Sequence, residues 1–357
     1  MVREQIAEFT VDSIRVLAED GSVDEALFPS LDDEQLLELY ESMKRARRFD
    51  ERAIALQRRG EIGTHAPAIG QEAAQVGSVL ALEPDDWVVP SFREQGAALA
   101  RGVPAYRLLQ YLMGMEEGAE IPPDGTMLPP SVPVGSQTLH AAGIGWAKAI
   151  RNDPAVALTY FGDGATSQGD VAEALNFAGV YDAQTVFFCQ NNQYAISTPR
   201  SEQTDAETLA QKAVAAGIDG VQVDGNDVLG VYAVTRDALR KAREGSPVLV
   251  EALTYRRSMH TTSDDPSVYR TDAEEAEWEQ RDPIARYETY LEDTGLLTAE
   301  RVDEIEDRIE RELDEAVDRA TADRERIDPL DVFEHAYAEL PLALREQLAE
   351  LRGEVDD

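Results

Sequence analysis

The chain has 357 residues, 43% of them hydrophobic, which suffices for one large α/β domain with appendages or for two medium domains. It carries 70 acids against 33 Lys and Arg, a net charge of −37; nucleic acid is excluded as a partner, because phosphate recognition needs a basic patch. No long apolar run exists, and the mixed, acidic start MVREQIAEFTVDSI is unlike a signal peptide, so the expectation is a cytoplasmic chain with no membrane partner.

The acids are spread along the chain, denser at 17–51 and 272–357, rather than gathered in one tail. That distribution predicts a surface adapted to concentrated salt, where self-repulsion is screened within a few ångströms. The alternative, an acidic tail for a basic partner, fits it less well. The single cysteine, Cys189, leaves no internal disulfide and fits a reducing compartment. Its apolar neighbours make it a core residue.

Residues 1–30 show no clear period and are expected to form a partly ordered arm. Ser30-Leu-Asp-Asp-Glu-Gln opens a helix with a cap and an acidic first turn, which stops at Arg58-Arg59-Gly60. A loop through His65 leads into a helix at about 71–82, and Trp87-Val-Val-Pro is a short strand that delivers Phe92 and Arg93. Residues 116–136 form a loop rich in Gly and Pro, of a length that usually carries function. A helix at 137–151 follows. Residues 155–161 read as a strand buried on both faces, 171–180 as a helix, and 185–189 as a second strand ending in Asn191-Asn192. Next come a helix at 206–216, a strand from Gly220, a helix at 228–244 and a last strand at 247–255. That strand feeds a polar loop running through His260 to Pro266. From Thr271 the chain is acidic and helical, with Val302, Ile305, Ile309, Leu313 and Val317 on one stripe. The alternation predicts an α/β fold, a parallel sheet with helices on both faces over 31–270. The arm at 1–30 and a helical extension at 271–357 flank it.

Gly162-Asp163-Gly164 closes the first of two parallel strands and Asn192 follows the second. One right-handed crossover therefore places a carboxylate and an amide at the carboxyl ends of the strands, where open sheets bind ligands. Both are hard oxygen donors, suited to Mg²⁺ shared with a diphosphate. Gly162-x-Gly164 also suits a dinucleotide, but that fingerprint needs a third glycine where Ser167 stands and an acid where Asn191-Asn192 stands. There is no Walker loop, no G-x-S-x-G and no Cys/His cluster for zinc. His140 and His335 fall in helical patterns and read as ordinary residues. His65 and His260 lie in loops that can reach the cleft.

The segment from Gly162-Asp163-Gly164 to Asn191-Asn192 resembles the thiamine-diphosphate motif. Gly70-Gln71-Glu72-Ala73, Phe92-Arg93, Val134-Gly135-Ser136-Gln137, Asn192-Gln-Tyr-Ala-Ile-Ser, Val223-Asp-Gly-Asn-Asp and His260-Thr-Thr-Ser-Asp-Asp accompany it in order. With them, residues 35–350 resemble the alpha subunit of the decarboxylating component of 2-oxo acid dehydrogenase complexes. The resemblance implies thiamine-diphosphate-dependent oxidative decarboxylation of a 2-oxo acid, pyruvate first and branched-chain acids next, with acyl transfer to a lipoyl-bearing acyltransferase. It implies Mg²⁺ on Asp163, the Asn192 side chain and the Tyr194 carbonyl. Gly164 and Ala165 would give backbone contacts, Arg93 a charge, and Phe92, Val132 and Val134 a wall. His260 would be catalytic, beside the diphosphate and assisting acyl transfer, its loop ordered by Arg256, Asp264, Tyr269 and Arg270. Ser131, Pro133, Ser136 and Gln137 match a K⁺ site of branched-chain relatives.

Some positions depart from the pattern. Gln190 stands where branched-chain relatives carry an Arg on the diphosphate, Ser258-Met259 precedes His260, and Thr261 replaces the phosphorylated Ser of regulated relatives. By the resemblance, the acid beside the cofactor's aminopyrimidine comes from a beta subunit in an α₂β₂ assembly, so this chain alone is expected to be silent. An NAD-binding Rossmann oxidoreductase and a non-catalytic scaffold on the same fold are the alternatives. The charge distribution carries its own prediction: the thermal midpoint should rise from dilute to molar KCl. Equal midpoints would refute salt adaptation.

Overall fold

The computed structural model describes residues 3–333 and 337–355. In chain order the first elements are β1 (Asp12–Ile14), α1 (Asp33–Arg58), α2 (Glu72–Leu80), β2 (Trp87–Val89), α3 (Gln95–Ala100) and α4 (Ala105–Leu112). The central unit follows as α5 (Gln137–Arg151), β3 (Ala157–Gly162), α6 (Gly169–Val180) and β4 (Thr185–Asn191). Then come the hairpin β5 (Tyr194–Ala195) and β6 (Thr198–Pro199), α7 (Arg200–Gln203), α8 (Lys212–Ala216), β7 (Asp219–Asp224), α9 (Val228–Arg243) and β8 (Val248–Leu253). Four helices end the chain: α10 (Asp272–Glu279), α11 (Pro283–Asp293), α12 (Ala299–Arg324) and α13 (Leu342–Val355).

Six strands form one parallel sheet in the order β1-β7-β8-β4-β3-β2. Residues of β4 are buried throughout, as the absence of polar alternation requires of a central parallel strand. One face packs on α2 and α9 through Leu158, Tyr160, Phe188 and Val250, and the other on α5 and α6 through Phe161, Phe187 and Leu249. The expected α/β architecture is present, with its helical C-terminal extension. That extension docks on α1, whose apolar stripe of Leu39, Met43, Phe49 and Leu56 shares a core with Ile305, Ile309 and Leu313 of α12. Ion pairs rim the contact, among them Lys44–Glu306 at 2.5 Å, Arg45–Glu312 at 3.1 Å and Arg48–Glu306 at 2.8 Å. Being partly exposed, each adds little; the apolar stripe holds the helices.

Two segments differ from the sequence-based expectation. Residues 12–14 of the supposed arm add a strand to the sheet edge, and Val16 and Leu17 behind them are buried. The cause is Asp227, the N-cap of α9. Its Oδ2 accepts from the amides of Val16 at 2.6 Å and Leu17 at 2.9 Å, while Oδ1 caps Leu229 N at 3.1 Å. The helix expected at 206–216 shrinks to α8. Arg200 takes the carbonyls of Thr204 and Ala206, at 3.0 and 2.6 Å, which a helix would have used itself. Asp227→Ala should strand two buried amides and uncap α9, costing about 3 kcal/mol in urea unfolding. A loss below about 0.5 kcal/mol would mean that the arm is not held this way.

Candidate active site

Parallel pairing of β3 with β4 sets Gly162 beside Gln190, so β3 ends one residue before β4. Asp163 and Asn192, the residues just past those ends, consequently meet. One terminal atom of the Asn192 amide lies 3.3 Å from Asp163 Oδ1 and 3.1 Å from the Tyr194 carbonyl oxygen; the other lies 3.0 Å from Gln71 Oε1. With the amide nitrogen towards Gln71, three oxygens converge. The two distances from the Asn192 oxygen, 3.3 and 3.1 Å, are close to the ~3.0 Å edge of an octahedron with ~2.1 Å Mg–O bonds. The other oxygen of Asp163, Oδ2, accepts from Gln203 Nε2 at 2.5 Å. Asp163 is buried, and burial raises its pKa; the Gln203 bond is the largest effect opposing that rise.

These oxygens sit in a cavity of about 590 Å³ whose lining includes Phe92, Arg93, Val132, Val134, Asp163, Gly164, Ala165, Asn192, Tyr194 and His260. All ten residues expected to hold the cofactor thus border one cleft. A larger cavity of about 730 Å³ lies beyond a wall of Ser91, Phe92, Glu94 and Gln95, but it lacks Asp163 and Asn192 and so the donor set. Gly164 is obligatory: a Cβ there would sit 2.6 Å from that of Ala195 in the β5–β6 hairpin. Among the described residues no group of three or more His, Cys, Asp and Glu could hold a metal. Any cation here would be an oxygen-bound one with a single protein carboxylate.

Two guanidiniums border the site. Arg93 is 5% exposed and Arg256 0%, and among the described residues neither has a carboxylate partner within salt-bridge distance. Arg93 spends its donors on the Pro67 carbonyl at 2.7 Å, the His260 carbonyl at 3.0 Å and His260 Nδ1 at 3.1 Å. Arg256 donates to the carbonyls of Tyr194 at 3.2 Å and Ile196 at 2.6 Å. Burial and the Arg256 charge push the Arg93 pKa down to about 10. Buried cations without a counter-ion are costly, and they call for an anionic ligand.

The family model for the dehydrogenase E1 component matches residues 40–327. The chain belongs to that family. It is 43% identical over 339 residues to the pyruvate dehydrogenase E1 component subunit alpha of Staphylococcus aureus, across 94% of this chain and 91% of that one. The corresponding subunit of Staphylococcus epidermidis gives the same identity and coverage. The family read from the motifs therefore stands, with thiamine diphosphate as its cofactor and 2-oxo acid dehydrogenation as its reaction. The dinucleotide and scaffold alternatives are not favoured.

Within this E1 chain, the loop of His260 is ordered as expected. Asp264 Oδ2 accepts from His260 N at 2.7 Å and from the Tyr269 hydroxyl, Tyr269 Oη in turn accepts from Arg256 at 3.0 Å, and Arg270 donates to the Arg256 carbonyl. His260 packs edge-on against Phe92, ring centres 6.0 Å apart. Because a guanidinium only donates, His260 Nδ1 is an acceptor and its proton sits on Nε2. Burial, then Arg93 and Arg256, push its pKa down to about 4.

The remaining histidines divide otherwise. His65 does not line the cleft; it is buried against Asp50 at 2.8 Å and braces the His260 loop through Thr262, whose amide donates to the His65 carbonyl at 2.8 Å. His140 is exposed on α5, and His335 lies outside the described residues. Cys189 is buried in β4, its thiol pKa raised by burial, as befits a core residue. Near Ser131, Pro133 and Ser136, the Ser136 hydroxyl donates to the Pro133 carbonyl at 3.2 Å. Gln137 donates to the Tyr160 carbonyl at 2.8 Å, leaving its buried Oε1 without a partner.

Two residues escaped sequence reasoning. Gln203 comes from an irregular polar stretch and has no motif. Glu94 is buried in the cleft wall, where Gln190 Nε2 donates to Oε1 at 2.6 Å and Arg93 N to Oε2 at 3.2 Å. Burial pushes its pKa up to about 7. The only available signal was its place after Phe92-Arg93. Gln190, instead of a charge for a diphosphate, offers an amide to this acid.

For His260 the lowered pKa means that the unfolded chain takes up its proton first as pH falls from 6.5 towards 4. This imidazole therefore withdraws stability across that window. In the cofactor-free chain its NMR titration should have a midpoint near 4, rising in Arg93→Met. A midpoint near 6.5 in the native chain would contradict the geometry.

Proposed function

We propose that this chain is the alpha subunit of a pyruvate dehydrogenase that works in the cytoplasm of a salt-adapted cell. With a beta subunit, in an α₂β₂ assembly, it decarboxylates pyruvate and passes the acetyl group to a lipoyl-bearing acyltransferase. Pyruvate is taken from the names of the Staphylococcus relatives; branched 2-oxo acids are the second choice. The observation that carries the reading is the pairing of buried Arg93, which has no carboxylate partner among the described residues, with the oxygen cluster of Asp163, Asn192 and Tyr194 in one cleft, Arg256 lying behind the Tyr194 carbonyl. Cations and hard oxygen donors side by side are what a Mg²⁺-diphosphate requires.

When bound, thiamine diphosphate supplies the carbon nucleophile and electron sink for loss of carbon dioxide. The chain's own residues bind and orient it. Asp163, the Asn192 amide oxygen and the Tyr194 carbonyl would take Mg²⁺, with Gln203 fixing the Asp163 carboxylate. Backbone amides at Gly164 and Ala165, with Arg93, would meet the diphosphate, and Phe92, Val132 and Val134 would exclude water. His260, neutral at working pH, presents Nε2–H and would serve acyl transfer as a hydrogen-bond donor. A K⁺ ion would suit the unpartnered Gln137 Oε1 together with Ser131, Pro133 and Ser136.

The test is Mg²⁺-dependent binding of thiamine diphosphate to the full chain co-expressed with its beta subunit, followed by assay with pyruvate and branched 2-oxo acids. Asp163→Ala should abolish the binding. Gln203→Leu keeps the ligands but frees the carboxylate, and should raise the Mg²⁺ requirement about 10–100-fold. Wild-type affinity in Asp163→Ala would sink the site, and preference for a branched acid would reassign the substrate.

A further inference from the structure

Glu94 is a buried acid that the proposed chemistry leaves unused, and its hydrogen bonds close a ring. Its Oε2 accepts from Arg93 N at 3.2 Å and its Oε1 from Gln190 Nε2 at 2.6 Å. Gln190 Oε1 accepts from Gln75 Nε2 at 3.2 Å, and the same Nε2 donates to the Arg93 carbonyl at 2.9 Å. The ring thus leaves the Arg93 main chain through its amide and returns through its carbonyl. It ties that residue to α2, which carries Gln75, and to Gln190, the last residue but one of β4. All four residues are buried.

The direction of each bond is set from the backbone. Gln75 Oε1 accepts from Ala97 N at 3.3 Å, so its Nε2 must face the Arg93 carbonyl and Gln190. Gln190 therefore shows its oxygen to Gln75 and its Nε2 to residue 94. On the other side of residue 94 the Arg93 amide is a second fixed donor. Residue 94 consequently meets donors at both terminal atoms, and a carboxylate accepts at both. A glutamine of the same shape would turn an NH₂ group on a donor, and no combination of amide rotations around the ring removes that conflict. Gly96 lets the ring close, since a Cβ there would lie 2.9 Å from Gln75 Oε1.

The residue held in this way is Arg93, whose guanidinium borders the cleft. That group bridges the Pro67 carbonyl and His260, so a shift of its main chain would draw it from both. We infer that Glu94 is a positioning residue: as a carboxylate it locks the Arg93 main chain, through Gln190 and Gln75, with the guanidinium set for an anion in the cleft. Charge alone argues against an acid here, because a negative group beside Arg93 weakens the attraction for a diphosphate. The geometry that the acid enforces explains its presence. The identity of the anion, thiamine diphosphate, rests on the E1 reading above; the lock itself does not.

The test compares Glu94→Gln with the exchange Glu94→Gln plus Gln190→Glu, each in the full chain co-expressed with its beta subunit. The exchange restores every bond of the ring. Its carboxylate at 190 accepts from Gln75 and from the new amide at 94, whose oxygen takes the Arg93 amide. Glu94→Gln should weaken Mg²⁺-dependent binding of thiamine diphosphate about tenfold, and the exchange should recover it to within about threefold of the wild type. Loss of the charge alone has the opposite sign and tightens binding.

A second readout needs no cofactor. In the full chain alone the NMR midpoint of His260, near 4 in the wild type, should rise towards 6.5 in Glu94→Gln and fall back in the exchange. The charged groups that act on this imidazole are Arg93, Arg256 and Asp264. Removing another acid lowers a histidine midpoint, so a rise reports retreat of a guanidinium. Unchanged or tighter binding in Glu94→Gln, or an exchange that binds no better than Glu94→Gln, would overturn the lock. If the wild-type pair bound no thiamine diphosphate, the E1 reading would fall, and the His260 midpoints would decide the lock by themselves.

Discussion

The parallel register of β3 and β4 at their carboxyl ends is the constraint on which the site depends. Parallel register fixes Gly162 beside Gln190, so one residue of turn on one strand and two on the other bring Asp163 and Asn192 to the same point. Holding that turn is the task of Glu251, buried on the neighbouring strand β8. One of its oxygens takes the Asn191 amide at 2.7 Å, and the other takes the backbone amides of Leu209 and Ala210 at 2.8 and 3.0 Å. A single buried carboxylate thus ties the turn that carries Asn192 to the sheet and to the segment that returns Gln203 to Asp163. Every donor it accepts is satisfied locally, which is how a buried charge is tolerated.

Charge placement explains the state of His260. Two guanidiniums face its Nδ1, Arg93 at 3.1 Å and Arg256 at 3.4 Å, while Asp264 binds only its backbone amide. The cleft is therefore positive where an anion would sit, and the imidazole within it is neutral with a fixed tautomer. A protonated histidine would add a third positive charge to an uncompensated pair. The neutral imidazole keeps its one donor at Nε2.

The central strand-helix-strand unit and the meeting of Asp163 with Asn192 past its strand ends were legible because they follow from local rules: buried strands without polar alternation, glycines flanking Asp163, and a crossover of fixed hand. The N-terminal edge strand was not legible. Residues 12–14 are mostly exposed, and what orders them is Asp227, more than 200 positions away. Gln203 was hidden for the same reason, since its partner lies 40 residues earlier and its own segment has no period. The shortened helix at 206–216 shows the converse: its periodicity is real, but Arg200 and Glu251 claim the backbone groups it needs. Glu94 was in plain view, yet only its burial beside Gln190 separates it from the many surface acids.

The amides of Asn192 and Gln71 give the oxygen cluster a further property. Turned together, they satisfy one another: Asn192 donates to Asp163 and the Tyr194 carbonyl, and Gln71 donates its otherwise unpartnered Nε2 to Asn192. Turned back, the Asn192 amide oxygen faces the oxygens of Asp163 and Tyr194. Converting one state to the other needs two side-chain rotations and an exchange of hydrogen bonds, a difference on the order of 1 kcal/mol per bond. The backbone need not move, because Gln193 and Ile196, both with positive φ at 74° and 56°, already fix the hairpin that carries the Tyr194 carbonyl. Strain is thus stored in the rigid part of the site. The two amides can therefore close the hydrogen bonds of the cluster or leave its oxygens facing one another, with no change in the backbone.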